Sequence, residues 1–159
     1  MDEKLVSAMR TGNMELAKQA IAENPEAVHR ADERGFTPLV LATYLEQVGI
    51  ARLLLEKGAE VNRQDAAGNT ALMGVVFKGH EELVDLLLKH GAEIDKQNYS
   101  GSTALIFAAT YGKLSMAKKL IEHGADMNIR DAEGRSAQDH ADEQGHRALS
   151  TLLKEYSES

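Results

Sequence analysis

The chain has 159 residues, 43% of them hydrophobic, and carries 25 acidic against 18 basic side chains, a formal charge of −7. This acidic excess, with a pI near 5.4, argues against a protein that grips a phosphate backbone, which needs a net or local surplus of Lys and Arg; solubility is its simpler explanation. There is no cysteine, so nothing requires an oxidising compartment and no Cys-ligated zinc site can form.

The N-terminus, MDEKLVSAMR, opens with acidic residues and lacks the apolar stretch of a secretory signal. No later run approaches the ~18 apolar residues of a membrane span. The default expectation is a cytoplasmic chain without a membrane partner, although a protein exported without a signal would read the same way.

Two marker series recur with one period. Gly35, Gly68, Gly101 and Gly134 fall 33 residues apart, as do Thr37, Thr70, Thr103 and Ser136. In register with them, Gly58, Gly91 and Gly124 each close an apolar run, Leu-Leu-Leu or Lys-Leu-Ile, two residues earlier. A fixed period of this size is the signature of stacked repeats, each too small to bury its own apolar stripe. The most regular unit runs from Asp65 to Gln97.

The quoted residues Asp32-x-x-Gly35-x-Thr37-Pro38-Leu39, the Gly79-His80 pair and Gly58-Ala59-x-Val61-Asn62 make the chain resemble the ankyrin repeat family. The resemblance implies an all-α solenoid of helix-turn-helix units joined by β-turn or hairpin-like loops. It also implies a binding module without catalysis or cofactor, whose partner is another protein. Along the chain the expected units are an N-terminal capping repeat over 1–31, full repeats over 32–64, 65–97 and 98–130, and a C-terminal capping repeat over 131–156.

The first unit holds two short helical patterns split by Gly12-Asn13, with Leu5, Ala8, Met9, Leu16, Ala17, Ala20 and Ile21 on one face. Asn24 stands where later units place Gly58, Gly91 and Gly124, so a left-handed helix end is expected there, with Pro25 barring continuation. In the second unit Thr37 is the expected N-cap and Pro38 the first helical residue. Ala71 and Ala104 replace that proline later while the capping threonines remain. The last unit has degraded markers, Gln138-Asp139 and the polar Asp142 and Lys154 at apolar positions, as befits a terminal repeat with a solvated outer face. Residues 157–159 are expected to fray. With both ends capped, the chain reads as a complete protein and as a monomer, self-association through an exposed strip being the alternative.

Two departures from the family pattern stand out. The His of the family's T-P-L-H sequence is replaced by Val40, Met73 and Ile106, so the hydrogen bonds it makes in the family are not to be assumed. Glu46-Gln47 occupy the place of Gly79-His80, which puts a bulky residue at a position usually given to Gly, where φ > 0 is expected.

Chemistry is scarce. His90 and His123 share one position just before a helix-ending Gly, where a helix C-terminus favours a partly positive ring. His80 sits in the Gly-His loop. Asp139-His140 with Ser136 nearby suggests a triad only in composition, because such a site also needs an oxyanion hole and a pocket. Gly112-Lys113-Leu114-Ser115 misses the phosphate-loop pattern twice, at Phe107 and Leu114. Glu81-Glu82 and Asp142-Glu143 read as solvated faces.

Carried over through the register, the family's partner-binding surface, turn tips and the open side of each first helix, falls on Arg34, Phe36, Tyr44, Leu45, Phe77, Lys78, Tyr99 and Tyr111. The chain has three Phe, four Tyr and no Trp. Five of these, Phe36, Tyr44, Phe77, Tyr99 and Tyr111, lie at such positions, leaving Phe107 and Tyr156 outside. Aromatics are the usual interface anchors; the bland alternative is that Tyr44, Phe77 and Tyr111 merely pack between helices. A second class of function, a small-ligand binder or enzyme, would use polar groups such as Arg34 and Lys78.

Overall fold

A computed structural model of the chain describes residues 1–158. Among them the protein forms ten α-helices and one short 3-10 helix, with no strand. The helices come in pairs: α1 (Glu3–Thr11) with α2 (Met14–Glu23), α3 (Pro38–Tyr44) with α4 (Val48–Glu56), α5 (Ala71–Lys78) with α6 (Glu81–Lys89), α7 (Ala104–Thr110) with α8 (Leu114–Glu122), and α9 (Ala137–Glu143) with α10 (Arg147–Ser157). The first members stack in order, α1 on α3, α3 on α5, α5 on α7 and α7 on α9; behind them α2 meets α4, α4 meets α6 and α8 meets α10.

Each first helix starts where its sequence dictates. The hydroxyl oxygens of Thr37, Thr70, Thr103 and Ser136 accept the N–H of the third helical residue, satisfying one of the donors a helix start leaves open. Where the family's His is missing, Met73 fills the place with a thioether sulfur that accepts the Thr70 N–H, and Asp139 with a carboxylate that accepts the Ser136 N–H at 2.9 Å. Val40 and Ile106 have no such group.

The turns before these helices are built by one residue type. Asp32, Asp65, Asn98 and Asp131 each use a single side-chain oxygen to accept the N–H groups two and four residues on, at 2.9–3.0 Å. Successive turns are then stitched together by backbone bonds, Ala66 N–H to Arg34 O, Tyr99 N–H to Ala67 O and Ala132 N–H to Ser100 O, at 2.9–3.1 Å. Gln64 and Gln97 reinforce the seam, each donating to the carbonyl of the next glycine and of the residue 33 on.

The core is aliphatic. Leu5, Leu54, Leu83, Leu87 and Leu120 are fully buried, and none of the seven aromatics is. Stripes that each repeat leaves bare are thereby covered by its neighbours.

Three local expectations meet their outcomes here. Glu46 has φ 58°, the one left-handed residue other than glycine among those described; Gly79, Gly112 and Gly145 take the same conformation at the matching position. A side chain in that region costs about 1–2 kcal/mol, so Glu46→Gly should raise unfolding stability by about 1 kcal/mol in urea titrations, and an unchanged or lower midpoint would contradict this. Asn24, by contrast, is not left-handed: its φ is −144°. The ring of Pro25 drives the preceding residue into the extended region, and the chain passes into a 3-10 turn, Pro25–His29, instead. At the other end the expected fraying is overruled for Ser157, which closes α10 with its hydroxyl donating to Lys154 O at 2.9 Å; Ser159 lies outside the described residues.

The last pair replaces apolar contact with a polar network. The Gln138 amide donates to the Ser150 hydroxyl and to Asp142, and the Ser150 hydroxyl donates to Asp142. Ser150 outweighs burial to hold the Asp142 carboxyl below its usual range. The Ser136 N–H does the same for Asp139. Burial would push Asp131 up, but the N–H groups of Arg135 and Glu133 and the His140 ring outweigh it and leave it low. His140, buried, lies 2.7 Å from Asp131 through Nε2, while Ser136 is engaged with Asp139 in a capping box; the ring is a strut for the turn and does not address Ser136.

These depressed carboxyls set the sign of the acid response. The unfolded chain takes up protons near the ordinary value of about 4, the folded one only lower, so their contribution is complete above that pH and lost as pH falls through the folded values. Hydrogen exchange as pH is lowered below about 4 should therefore show α9 and α10 losing protection before α5 and α6. Simultaneous loss along the stack would contradict this.

Candidate functional site: an aromatic groove along the first helices

The first helices expose their C-terminal ends on one side of the stack. Tyr44 ends α3, Phe77 lies one residue before the end of α5, and Tyr111 caps α7; they are 62%, 48% and 49% exposed, although each belongs to the residue class that normally seeks burial. Phe77 and Tyr111 meet edge to face, centroids 4.9 Å apart at 88°, the arrangement their quadrupoles prefer. Phe107 stacks on Tyr111 at 6.1 Å.

Between α3, α5 and α7 these side chains enclose a groove of about 510 Å³. Its walls are Phe36, Leu41, Tyr44, Phe77, Phe107 and Tyr111, with Met73 and Gly74 of α5 among its other lining residues. Three cations lie over its rings: the Arg34 guanidinium 4.3 Å from Phe36, Lys78 Nζ 4.4 Å from Tyr44, and Lys113 Nζ 5.8 Å from Phe77. These are cation–π distances, and they hold the charges against apolar surface.

The groove's own ionisable groups are committed to its construction. Arg34 is paired with Asp32 at 3.0 Å, and Asp65 accepts the N–H groups of Ala67 and Asn69. Three histidines serve helix ends: Nδ1 of His90 and of His123 donates to the carbonyl four residues back, at 3.0 and 2.8 Å, whereas His80 accepts the Leu83 N–H and caps α6.

The structure brings Arg34, Phe36, Tyr44, Phe77 and Tyr111 together as lining, with Lys78 on the rim over Tyr44. Two residues fall elsewhere. Leu45, the cap of α3, is half-buried against the core. Tyr99 is 70% exposed at a turn tip, its ring laid over Gly68, where a Cβ would come within 2.7 Å of it. Phe107, set outside the strip on sequence grounds, is part of the groove wall. The signal was present: 107 is one helical turn before Tyr111, and residues four apart share a face.

A family pattern described as ankyrin repeats, in three copies, matches residues 4–65 and again residues 62–131. No individual curated protein matches at a significant level. No described helix is long and apolar enough to cross a membrane. Capped helix pairs, a 33-residue turn register and a sequence match over most of the chain agree: the protein belongs to the ankyrin repeat family, whose repeats generally mediate binding to other proteins.

Proposed function

We propose that this chain is a non-catalytic interaction module that takes a segment of a partner protein along the groove formed by α3, α5 and α7. The observation that carries the reading is the solvent-open groove that Tyr44, Phe77 and Tyr111 line together, with Phe77 and Tyr111 in edge contact. With neighbouring helices about 10 Å apart, the wall extends about 20 Å, a length suited to a peptide segment. Burying three such side chains is worth roughly 5–9 kcal/mol before the cost of association.

A small-ligand or enzymatic use of the same face gains less support. Arg34 and Asp65 are tied to turn geometry, and the lysines at the groove, Lys78 and Lys113, lie over aromatic rings with no carboxylate paired to them among the described residues to complete a polar site. The test is affinity capture with the immobilised wild-type chain and with the triple variant Tyr44→Ala, Phe77→Ala, Tyr111→Ala. A protein retained by the first and lost by the second supports the reading. Equal retention by both, with both folded by circular dichroism, would refute it.

A further inference from the structure

The groove has a floor that its neighbours would not supply. In the 33-residue register Gly74 stands where the adjacent repeats carry Leu41 and Phe107, both of which line the groove. Gly74 lies in the interior of α5, where glycine is a poor choice because it surrenders more backbone freedom than any other residue. Packing does not require it: a Cβ built there meets nothing within 4 Å, and the backbone is not left-handed. A residue that breaks a local rule without structural need, in the wall of an open groove, marks a functional position. Its effect is a notch between Leu41 and Phe107, one side chain deep.

Asp65 of the groove is taken up by turn N–H groups and Arg34 by Asp32, which leaves two cations beside the notch. Lys78 and Lys113 lie over Tyr44 and Phe77, and neither is in a salt bridge within the described chain. Both are cations left over in a chain of net charge −7.

We infer that the notch above Gly74 receives one large apolar side chain of the partner, and that Lys78 and Lys113 pair with carboxylates on either side of it. The ligand is thus an acidic segment with an apolar anchor, and apolar segments in basic surroundings are rejected by charge. This rests on the groove being the partner surface.

The test begins with random short peptides displayed on phage and selected on the full-length chain. Selected sequences should combine a large apolar residue with adjacent Asp or Glu. Fluorescence anisotropy with a synthetic selected peptide then reads three variants. Gly74→Leu, which fills the notch, should weaken binding about tenfold or more, and the milder Gly74→Ala about threefold. Lys78→Glu with Lys113→Glu should weaken it about fivefold or more at low salt, less at high salt. Both Gly74 variants should melt at or above the wild-type temperature, since each replaces a helix-interior glycine in open space.

Several outcomes would overturn the inference. If Gly74→Leu binds as wild type while Phe77→Ala does not, the groove stands and the notch is wrong. If neither variant weakens binding, the groove fails as well. Selection of basic peptides, or of none, rules out the acidic segment as the ligand. A dimer in sedimentation equilibrium that peptide dissolves and Gly74→Leu abolishes would make the occupant a second copy of this chain.

Discussion

Combined replacement of Tyr44, Phe77 and Tyr111 by alanine should lower affinity for the bound partner about a hundredfold or more while the chain stays folded. Central aromatic anchors commonly cost about 2 kcal/mol or more each on truncation, and 1.4 kcal/mol is a factor of ten. The stability cost should be much smaller. All three rings are about half exposed or more, so their removal opens no closed cavity. The main internal loss is the Phe77–Tyr111 edge contact, worth about 0.5–1.5 kcal/mol. Titration of the partner, with urea unfolding run in parallel, separates the two effects. A large stability loss with unchanged affinity would make the strip packing and not a docking surface.

Leu87→Ala should have the largest effect on folding, about 3–5 kcal/mol. Leu87 is fully buried in α6, at the centre of the stack, and its removal leaves a cavity that neighbouring helices can fill only in part. Because each repeat is held by its neighbours, damage at the centre weakens coupling in both directions. Urea unfolding should therefore show a lower midpoint and, with the halves partly decoupled, a broader transition. Leu88→Ala, at a half-buried position on the same helix, is the control and should cost about 1 kcal/mol. Equal effects of the two variants would mean that the aliphatic stripe does not face the core as described.

The helix starts were legible because they depend on local groups. A threonine oxygen three residues before an open N–H makes the same cap wherever it occurs, and Thr37, Thr70 and Thr103 do so in turn. The left-handed bend at Glu46 was legible for a related reason, since the register marked the position before anything was known of its conformation. Asn24 shows the limit of register reasoning: Pro25, a neighbour with a stronger steric demand, decides the backbone there.

The site divided along similar lines. Tyr44, Phe77 and Tyr111 could be placed on the open side because a period of 33 carries Tyr44 to Phe77 and on to Thr110, the residue before Tyr111, at the same end of each first helix. Whether rings on different helices meet, and at what angle, depends on the spacing between repeats, which no single helix specifies. The Phe77–Tyr111 contact, the entry of Phe107 into the wall and the perching of Lys78 and Lys113 over rings are all of that kind.

By itself, then, the sequence determined the repeat, its capped helices and the aliphatic stripe that forces neighbours to stack, since the first follows from a 33-residue spacing along the chain and the others from residue chemistry within a single repeat. Only the tertiary structure decided that the leftover aromatics close into a groove, that Leu45 turns toward the core, and that Gly74 opens a notch in the wall. Those features belong to surfaces contributed by three repeats at once, and a side chain's exposure there is set by residues 33 positions away in either direction.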